Sequence, residues 1–149
     1  MADLVDQLLA RTGLYTGSQH DPSGDGHGAP DAPASTARIE VSALPGGSGV
    51  MLAYEVVTPD RGRVHQEHAV VARTADGITL VTSHSHASVT SVVRESEPGT
   101  FTVPAEGAPF PMAIKIEVPE PGHIIYTWSY GAPGDKAIPR DVGDLRITE

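Results

Sequence analysis

The chain is dominated by short segments in which apolar and polar residues alternate. In residues 37–44, for example, Glu40 separates Ile39 from Val41. Alternation with a period of two is typical of a β-strand that buries one face. Turns rich in glycine and proline separate the segments. The predicted strands cover residues 13–20, 37–44, 50–58, the two arms of 63–86, 88–94, 100–103, 112–118, 123–130 and 144–148.

Residues 63–86 form the most informative segment, a predicted β-hairpin around an Asp-Gly turn at 76–77. Four of the seven histidines of the chain lie on it: His65, His68, His84 and His86. Because strand residues point to alternate faces, His65 and Glu67 share one face, and His84 and His86 share another. If those faces meet inside a closed sheet, three imidazoles and a carboxylate converge. If they face water, the segment is an ordinary polar surface.

One short helix is predicted at residues 3–11, where Leu4 and Leu8 have the i, i+4 spacing of an apolar stripe. A helix of this length is not stable alone, so we expect it to dock on one mouth of the folded sheet. Residues 21–35 have no periodicity and are rich in proline, glycine and aspartate, which predicts a flexible surface loop.

The loop and the residue before it include metal-capable side chains: His20, Asp21, Asp25 and His27. Their spacing matches no calcium-loop pattern, so a solvated loop is the simpler interpretation. Whether the loop closes over a mouth of the barrel is left open by the sequence.

About ten strands with a single short helix predict an all-β protein, an antiparallel up-and-down barrel forming one domain over residues 1–149. In such a barrel the first and last strands are neighbours, because closure removes the edges. Arg146 in the last strand is then expected to stack on the ring of Tyr15 in the first, a barrel-closing cation–π contact. The alternative is an exposed arginine on an edge strand.

Composition excludes several classes of function. The formal net charge of −9 argues against nucleic acid and anionic membranes as partners. The chain of 149 residues has no cysteine, which excludes disulfides, cysteine-ligated zinc and a thiol nucleophile. The N-terminus lacks the features of a signal peptide, and no apolar stretch approaches the roughly 20 residues of a spanning helix. We expect a cytoplasmic protein, and the sequence leaves a homodimer open.

Several short motifs resemble those of one family. GLYTG at 13–17 resembles the Gly-x-Trp-x-Gly opening of calycin-type barrels, and more narrowly of the nitrobindin-like, fatty-acid-binding-protein-like family, with Tyr15 in place of the tryptophan. GGSGVMLAYE at 46–55 resembles the family's Gly-x-x-x-Leu-x-Tyr-Glu strand, which includes Tyr54. His65 and Glu67 resemble the His-x-Glu of the next strand, and His84 resembles a histidine that follows.

This resemblance implies a ten-stranded calycin-like barrel with a ligand cavity. Nitrobindins bind haem b through a histidine near the C-terminus and are credited with isomerising peroxynitrite to nitrate. Residues 137–149 contain no histidine, so the expected axial ligand is missing. His123 is the nearest candidate, and haem b is accordingly a secondary expectation.

The candidate ligand-binding residues combine the hairpin cluster with aromatic residues of two other strands. Ile124, Tyr126, Trp128 and Tyr130 share a face that we predict to point inward, because aromatic side chains bury large areas. The predicted ligand-binding set is Tyr54, His65, Glu67, His84, His86, Tyr126 and Trp128. Imidazole and carboxylate can also bind zinc or iron. Because i, i+2 histidine pairs also occur on exposed strands, we predict no metal site.

The many serines lack a Gly-x-Ser-x-Gly elbow and nothing else supplies a clear nucleophile, so we predict no catalytic residue and favour binding over catalysis. The leading hypothesis is a barrel that binds one small, largely apolar molecule. The second is a haem-dependent enzyme of nitrobindin type. The third is a barrel with a filled lumen that serves as a structural or interaction protein. A void beside Trp128 would favour the first hypothesis over the third.

Overall fold

The computed structural model describes residues 2–22, 35–104 and 110–148. Its helix α1 spans Leu4–Leu9. The ten strands are β1 Gly13–His20, β2 Ser35–Ala43, β3 Gly49–Thr58, β4 Gly62–Thr74, β5 Gly77–His84, β6 Ser91–Arg94, β7 Thr100–Thr102, β8 Met112–Glu120, β9 His123–Tyr130 and β10 Ile138–Ile147. The predicted all-β class with one short N-terminal helix is confirmed.

All ten strands belong to one antiparallel sheet, in the order β6-β5-β4-β3-β2-β1-β10-β9-β8-β7. β1 pairs with β10, and Tyr15 lies opposite Ile147. The end strands β6 and β7 come beside each other, so the sheet curls into a nearly closed barrel. The predicted up-and-down barrel, with its first and last strands adjacent, is confirmed.

The alternating pattern places the core inside the barrel. In β2, Ile39 and Val41 are buried whereas Arg38 and Glu40 are exposed. The same alternation brings large apolar side chains inward from every side, among them Leu52, Leu80, Phe101, Ile114, Ile116, Ile124, Tyr126 and Leu145. Burial of these residues is the main favourable contribution to folding.

Helix α1 docks on the barrel as predicted. Asp3 caps it by accepting a hydrogen bond from the Asp6 backbone N–H at 2.8 Å. Leu4, Val5 and Leu8 are buried, and the helix packs against β2, β3, β4 and β8. The short helix is therefore stabilised by tertiary packing.

The structure extends the last strand beyond its predicted start at residue 144. β10 begins at Ile138, and its pairing with β9 shifts register between Pro139 and Asp141. A proline near the start and Gly143 inside the strand weaken the sequence signal for this segment. The sequence therefore predicts no strand for the N-terminal half of β10.

The predicted stacking of Arg146 on Tyr15 is wrong. Arg146 lies opposite Thr16, one position away from the pair that contains Tyr15, so the two side chains point to opposite faces. Tyr15 is buried and its hydroxyl donates a hydrogen bond to the Arg11 carbonyl oxygen at 2.6 Å. Arg146 lies on the outside, with Nη1 2.8 Å from Glu120 Oε1.

Most of the predicted loop at 21–35 lies outside the described residues, including Asp25 and His27. Within the described part, His20 is exposed and Asp21 is buried. No helix among the described residues is long and apolar enough to cross a membrane.

Candidate functional site

The histidine-bearing faces of the central hairpin both turn inward. Glu67 on β4 lies opposite Tyr54 on β3 and opposite His84 on β5, so three neighbouring strands contribute to one inner patch. The ring centroid of His65 is 6.2 Å from that of His84 and 5.2 Å from that of His86. The structure therefore brings the three imidazoles and the Glu67 carboxylate together, as the alternation of strand residues allowed.

Glu67 is the polar centre of this patch, and its side chain is fully buried. The Thr82 hydroxyl donates a hydrogen bond to Oε2, and Trp128 Nε1–H donates one to Oε1 at 3.1 Å. His65 Nε2 lies 3.6 Å from Oε1, within ion-pair range. A buried carboxylate needs such donors, because burial without them is costly.

Aromatic residues of β3 and β9 complete the patch from the other sides. Tyr54 and Tyr126 have ring centroids 4.9 Å apart, and the Trp128 ring is 4.9 Å from that of His84. Burial raises the pKa of Tyr126 well above its usual value, and the nearby Glu67 charge raises it further. The Tyr126 hydroxyl is fully buried beside Glu67.

Burial lowers the pKa of His84, although the Glu67 charge acts in the opposite direction. Its Nδ1 lies 3.3 Å from the backbone N–H of His86, which can donate to a neutral imidazole. Both observations favour a neutral His84 with its proton on Nε2. This side chain can therefore donate one hydrogen bond toward the cavity.

A cavity of about 400 Å³ opens beside these residues. Its walls combine imidazole, aromatic, thioether and carboxylate groups, from His65, His84, His86, Phe110, Met112, Trp128, Tyr130 and Asp141. Small-molecule sites typically measure roughly 300–1,000 Å³ and are mostly apolar with a few polar groups. The space beside Trp128 therefore suits a small molecule, and this part of the lumen is not filled by side chains.

A smaller cavity of about 30 Å³ adjoins the first and shares His65, His86, Trp128 and Asp141 with it. Gln19 and Tyr54 are also part of its wall. Gln19 donates a hydrogen bond from Nε2 to Asp141 Oδ1 at 2.6 Å. A space of this size is sufficient for a water molecule.

The structure brings the predicted ligand-binding residues together in two layers. His65, His84, His86 and Trp128 line the large cavity, and Tyr54 lines the small one. Glu67 and Tyr126 lie buried behind this wall. Their convergence is observed, whereas their role in binding stays a prediction.

The predicted ligand-binding set lacks several residues of the site, among them Thr82, Asp141, Phe110 and Met112. Thr82 shares a face with His84 two positions later, so the alternation already contained the signal for it. Asp141 precedes the predicted last strand, in a segment for which the sequence predicts no strand. Phe110 and Met112 reach the cavity from around the start of β8, and nothing in their local pattern indicates it.

Two other histidines of the chain lie outside the site. His68 is exposed on the outer face of β4. His123 also faces away from the lumen, with Nε2 2.7 Å from Asp144 Oδ1 and Nδ1 3.8 Å from Glu120 Oε1. His123 therefore lies apart from the cavity residues, and its suggested role as a haem ligand stays a prediction. No group of three or more metal-ligating side chains is arranged to hold a metal ion within residues 2–22, 35–104 and 110–148.

A nearly closed ten-stranded antiparallel barrel with an open internal cavity fits the calycin-like class of folds. Among solved structures, the chain is similar to Rv2717c from M. tuberculosis, known from a crystal structure, with a TM-score of 0.66. The match covers 100% of this chain and 99% of that one at 11% sequence identity, so it establishes the fold alone. No protein-family model matches the chain. No curated protein matches it either.

Proposed function

We propose that this barrel binds one small, largely apolar molecule in the cavity beside Trp128. The observation that carries the proposal is the cavity of about 400 Å³ within a wall of aromatic and imidazole groups. A structural barrel has no need of such a void, because close packing of the lumen is more stable. Protein sites for small molecules have this size and this mixture of apolar and polar groups.

The cavity wall offers apolar contact area and a fixed set of side chains against which a ligand can be oriented. Met112 and the Phe110–Tyr130 pair, with ring centroids 6.4 Å apart, provide apolar surface. His84 and Trp128 meet edge to face, and Glu67 fixes the indole through its Nε1–H. A fixed wall lowers the entropic cost of ordering side chains when a ligand binds.

The test is a titration of the purified protein with a panel of small aromatic and aliphatic compounds, followed by calorimetry. We expect saturable binding that is lost in Met112→Trp, because the larger side chain fills the cavity from its wall. Met51→Trp is the matched control, since Met51 is exposed on the outer face of β3. Equal binding by the two variants, or no binding by the parent protein, contradicts the proposal.

Haem binding is the second candidate, and the three imidazoles on the cavity wall are the observation that favours it. Imidazole is a common axial ligand of haem iron. His65, His84 and His86 are the side chains that would hold it, and the iron would supply the peroxynitrite chemistry that the family resemblance implies.

Haem titration distinguishes the two candidates. A shifted Soret band that disappears in His65→Ala or His84→Ala supports haem, provided that His68→Ala on the outer face retains the band. A spectrum that is the same in all variants rejects haem and leaves the small-molecule proposal in place.

A further inference from the structure

The charge of the cavity specifies a class of ligand. From the side chains around it, we infer that the cavity selects ligands that carry a positive charge beside an apolar body, and disfavours carboxylates. This inference rests on the proposed function, since it concerns the same cavity.

Two carboxylates approach the cavity, and no lysine or arginine is among its lining residues. Asp141 lies directly on the wall. Glu67 lies immediately behind it, bonded to Trp128 and 3.6 Å from His65, both of which face the cavity. All ten lysine and arginine residues of the chain lie within its described part.

Neutral groups donate hydrogen bonds to both carboxylates. Thr82 and Trp128 donate to Glu67, and Gln19 donates to Asp141. The hydroxyl, indole and amide groups of these donors are all neutral. In a partly buried site such charges are less screened than on the surface, so they act on a ligand nearby.

Arg140 is the basic residue next to this region, with its guanidinium carbon 5.8 Å from the Tyr130 ring centroid. Charges of both signs act on the pKa of Tyr130. Burial raises it, Asp141 and Asp21 raise it further, and Arg140 only partly opposes them. Burial raises the pKa of Tyr54 as well, with added contributions from Glu67 and Asp141. Carboxylates therefore outweigh Arg140 in their effect on these two tyrosines.

Aromatic rings on the wall reinforce this preference. Trp128, Tyr130 and Phe110 all line the cavity. A cation is attracted to the face of an aromatic ring, and most strongly to tryptophan. A ligand with an apolar body and an ammonium group would thus bury its body in the cavity. Its charge would be attracted both to the carboxylates and to the aromatic rings. A fatty acid or another carboxylate would meet repulsion.

The experiment uses three probes of equal shape: 3-phenylpropylamine, 3-phenylpropan-1-ol and 3-phenylpropionate. Binding is measured at pH 8 through the emission of Trp128, the single tryptophan. Histidine has an ordinary pKa of about 6.5, so this pH limits the contribution of protonated imidazoles. We expect the amine to bind at least about tenfold more tightly than the carboxylate, with the alcohol between them.

Asp141→Asn should reduce this amine-to-carboxylate ratio several-fold. Asp144→Asn is the matched control, because Asp144 lies three residues away on β10 and faces outward toward His123. It should leave the ratio unchanged.

Three results overturn the inference. Equal affinities for the three probes reject the charge preference but leave the proposed binding function intact. A ratio that is unchanged in Asp141→Asn also rejects it. If none of the probes binds, and the wider panel also fails, the proposed function and the inference fail together.

Discussion

The buried carboxylate of Glu67 connects two opposite parts of the barrel wall. It accepts hydrogen bonds from Thr82 on β5 and from Trp128 on β9. The link to Trp128 spans 61 positions of sequence. A carboxylate can accept both bonds, whereas an amide has a single oxygen acceptor and turns its NH₂ group toward one of the donors.

Glu67→Gln should therefore lower the free energy of unfolding by about 1–3 kcal/mol, the usual cost of an unsatisfied buried group. Urea denaturation followed by circular dichroism measures it. Glu55→Gln is the control, because Glu55 is on the outer side of β3 and its contact with Arg63 is long, at 3.9 Å. Surface pairs of this kind contribute little, about 0–1 kcal/mol. Equal losses in the two variants would contradict the role assigned to Glu67.

His84 makes stability depend on pH. Burial lowers its pKa below the ordinary value of 6.5, with Glu67 opposing and His65 and His86 adding to the decrease. The unfolded chain therefore takes up a proton at higher pH than the folded protein does. The stabilisation is complete above pH 6.5 and is lost as the pH falls through the lowered value.

We expect the free energy of unfolding to decrease as the pH falls below 6.5, and His84→Gln to flatten this part of the profile. Denaturation curves at closely spaced pH values measure the effect. His68→Gln, on the outer face, should retain the parent profile. If His84→Gln leaves the slope unchanged, the pH dependence comes from another group.

At the scale of elements, the junction between β1 and β10 closes the barrel between its two terminal strands. The Gly-x-Tyr-x-Gly motif lies on β1, and its second glycine sits against β10. A Cβ atom at Gly17 would lie 1.8 Å from the Asp144 carbonyl oxygen and 2.9 Å from the Leu145 Cα atom. The two backbones approach so closely that no other residue fits without displacing a strand.

Gly17→Ala should destabilise the protein by about 1–3 kcal/mol or more, as overpacking does, because backbone atoms must move. Thermal and urea unfolding measure the loss. Ser18→Ala, at the next and exposed position of β1, should change stability by less than about 0.5 kcal/mol. A Gly17→Ala variant as stable as the parent would show that the strands can separate at little cost.

At the scale of the whole molecule, the continuous sheet and its docked helix share one core. Leu4, Val5 and Leu8 of α1 join the same apolar cluster as residues from the barrel strands. The structure therefore contains no boundary at which part of the described core can unfold by itself.

We predict a single cooperative transition for the chain. Tryptophan fluorescence reports on Trp128 in the cavity wall, and far-ultraviolet circular dichroism reports on the whole sheet. The two probes should give the same midpoint in urea. Separate midpoints would reveal that the cavity end opens before the rest of the barrel.

The sequence by itself determined the strands and the direction of most side chains. The alternation of Ile39 and Val41 with polar neighbours is a local property with a period of two, so it needs no tertiary information. The same argument put His65 and Glu67 on one face. The docking of the helix followed from its shortness, since a segment as short as residues 3–11 cannot form a stable helix alone.

Only the tertiary structure decided which of those faces meet and what lies between them. Arg146 and Tyr15 lie on the neighbouring strands β10 and β1 but point to opposite faces. Their relative positions depend on the register in which these two strands pair. Asp141 and Met112 join the cavity through barrel closure, which no local pattern records. His123 pairs with Arg146 and shares its outward orientation, which likewise depends on strand register. Contacts between distant segments depend on strand order and shear, so the cavity and its charge became visible only in the closed barrel.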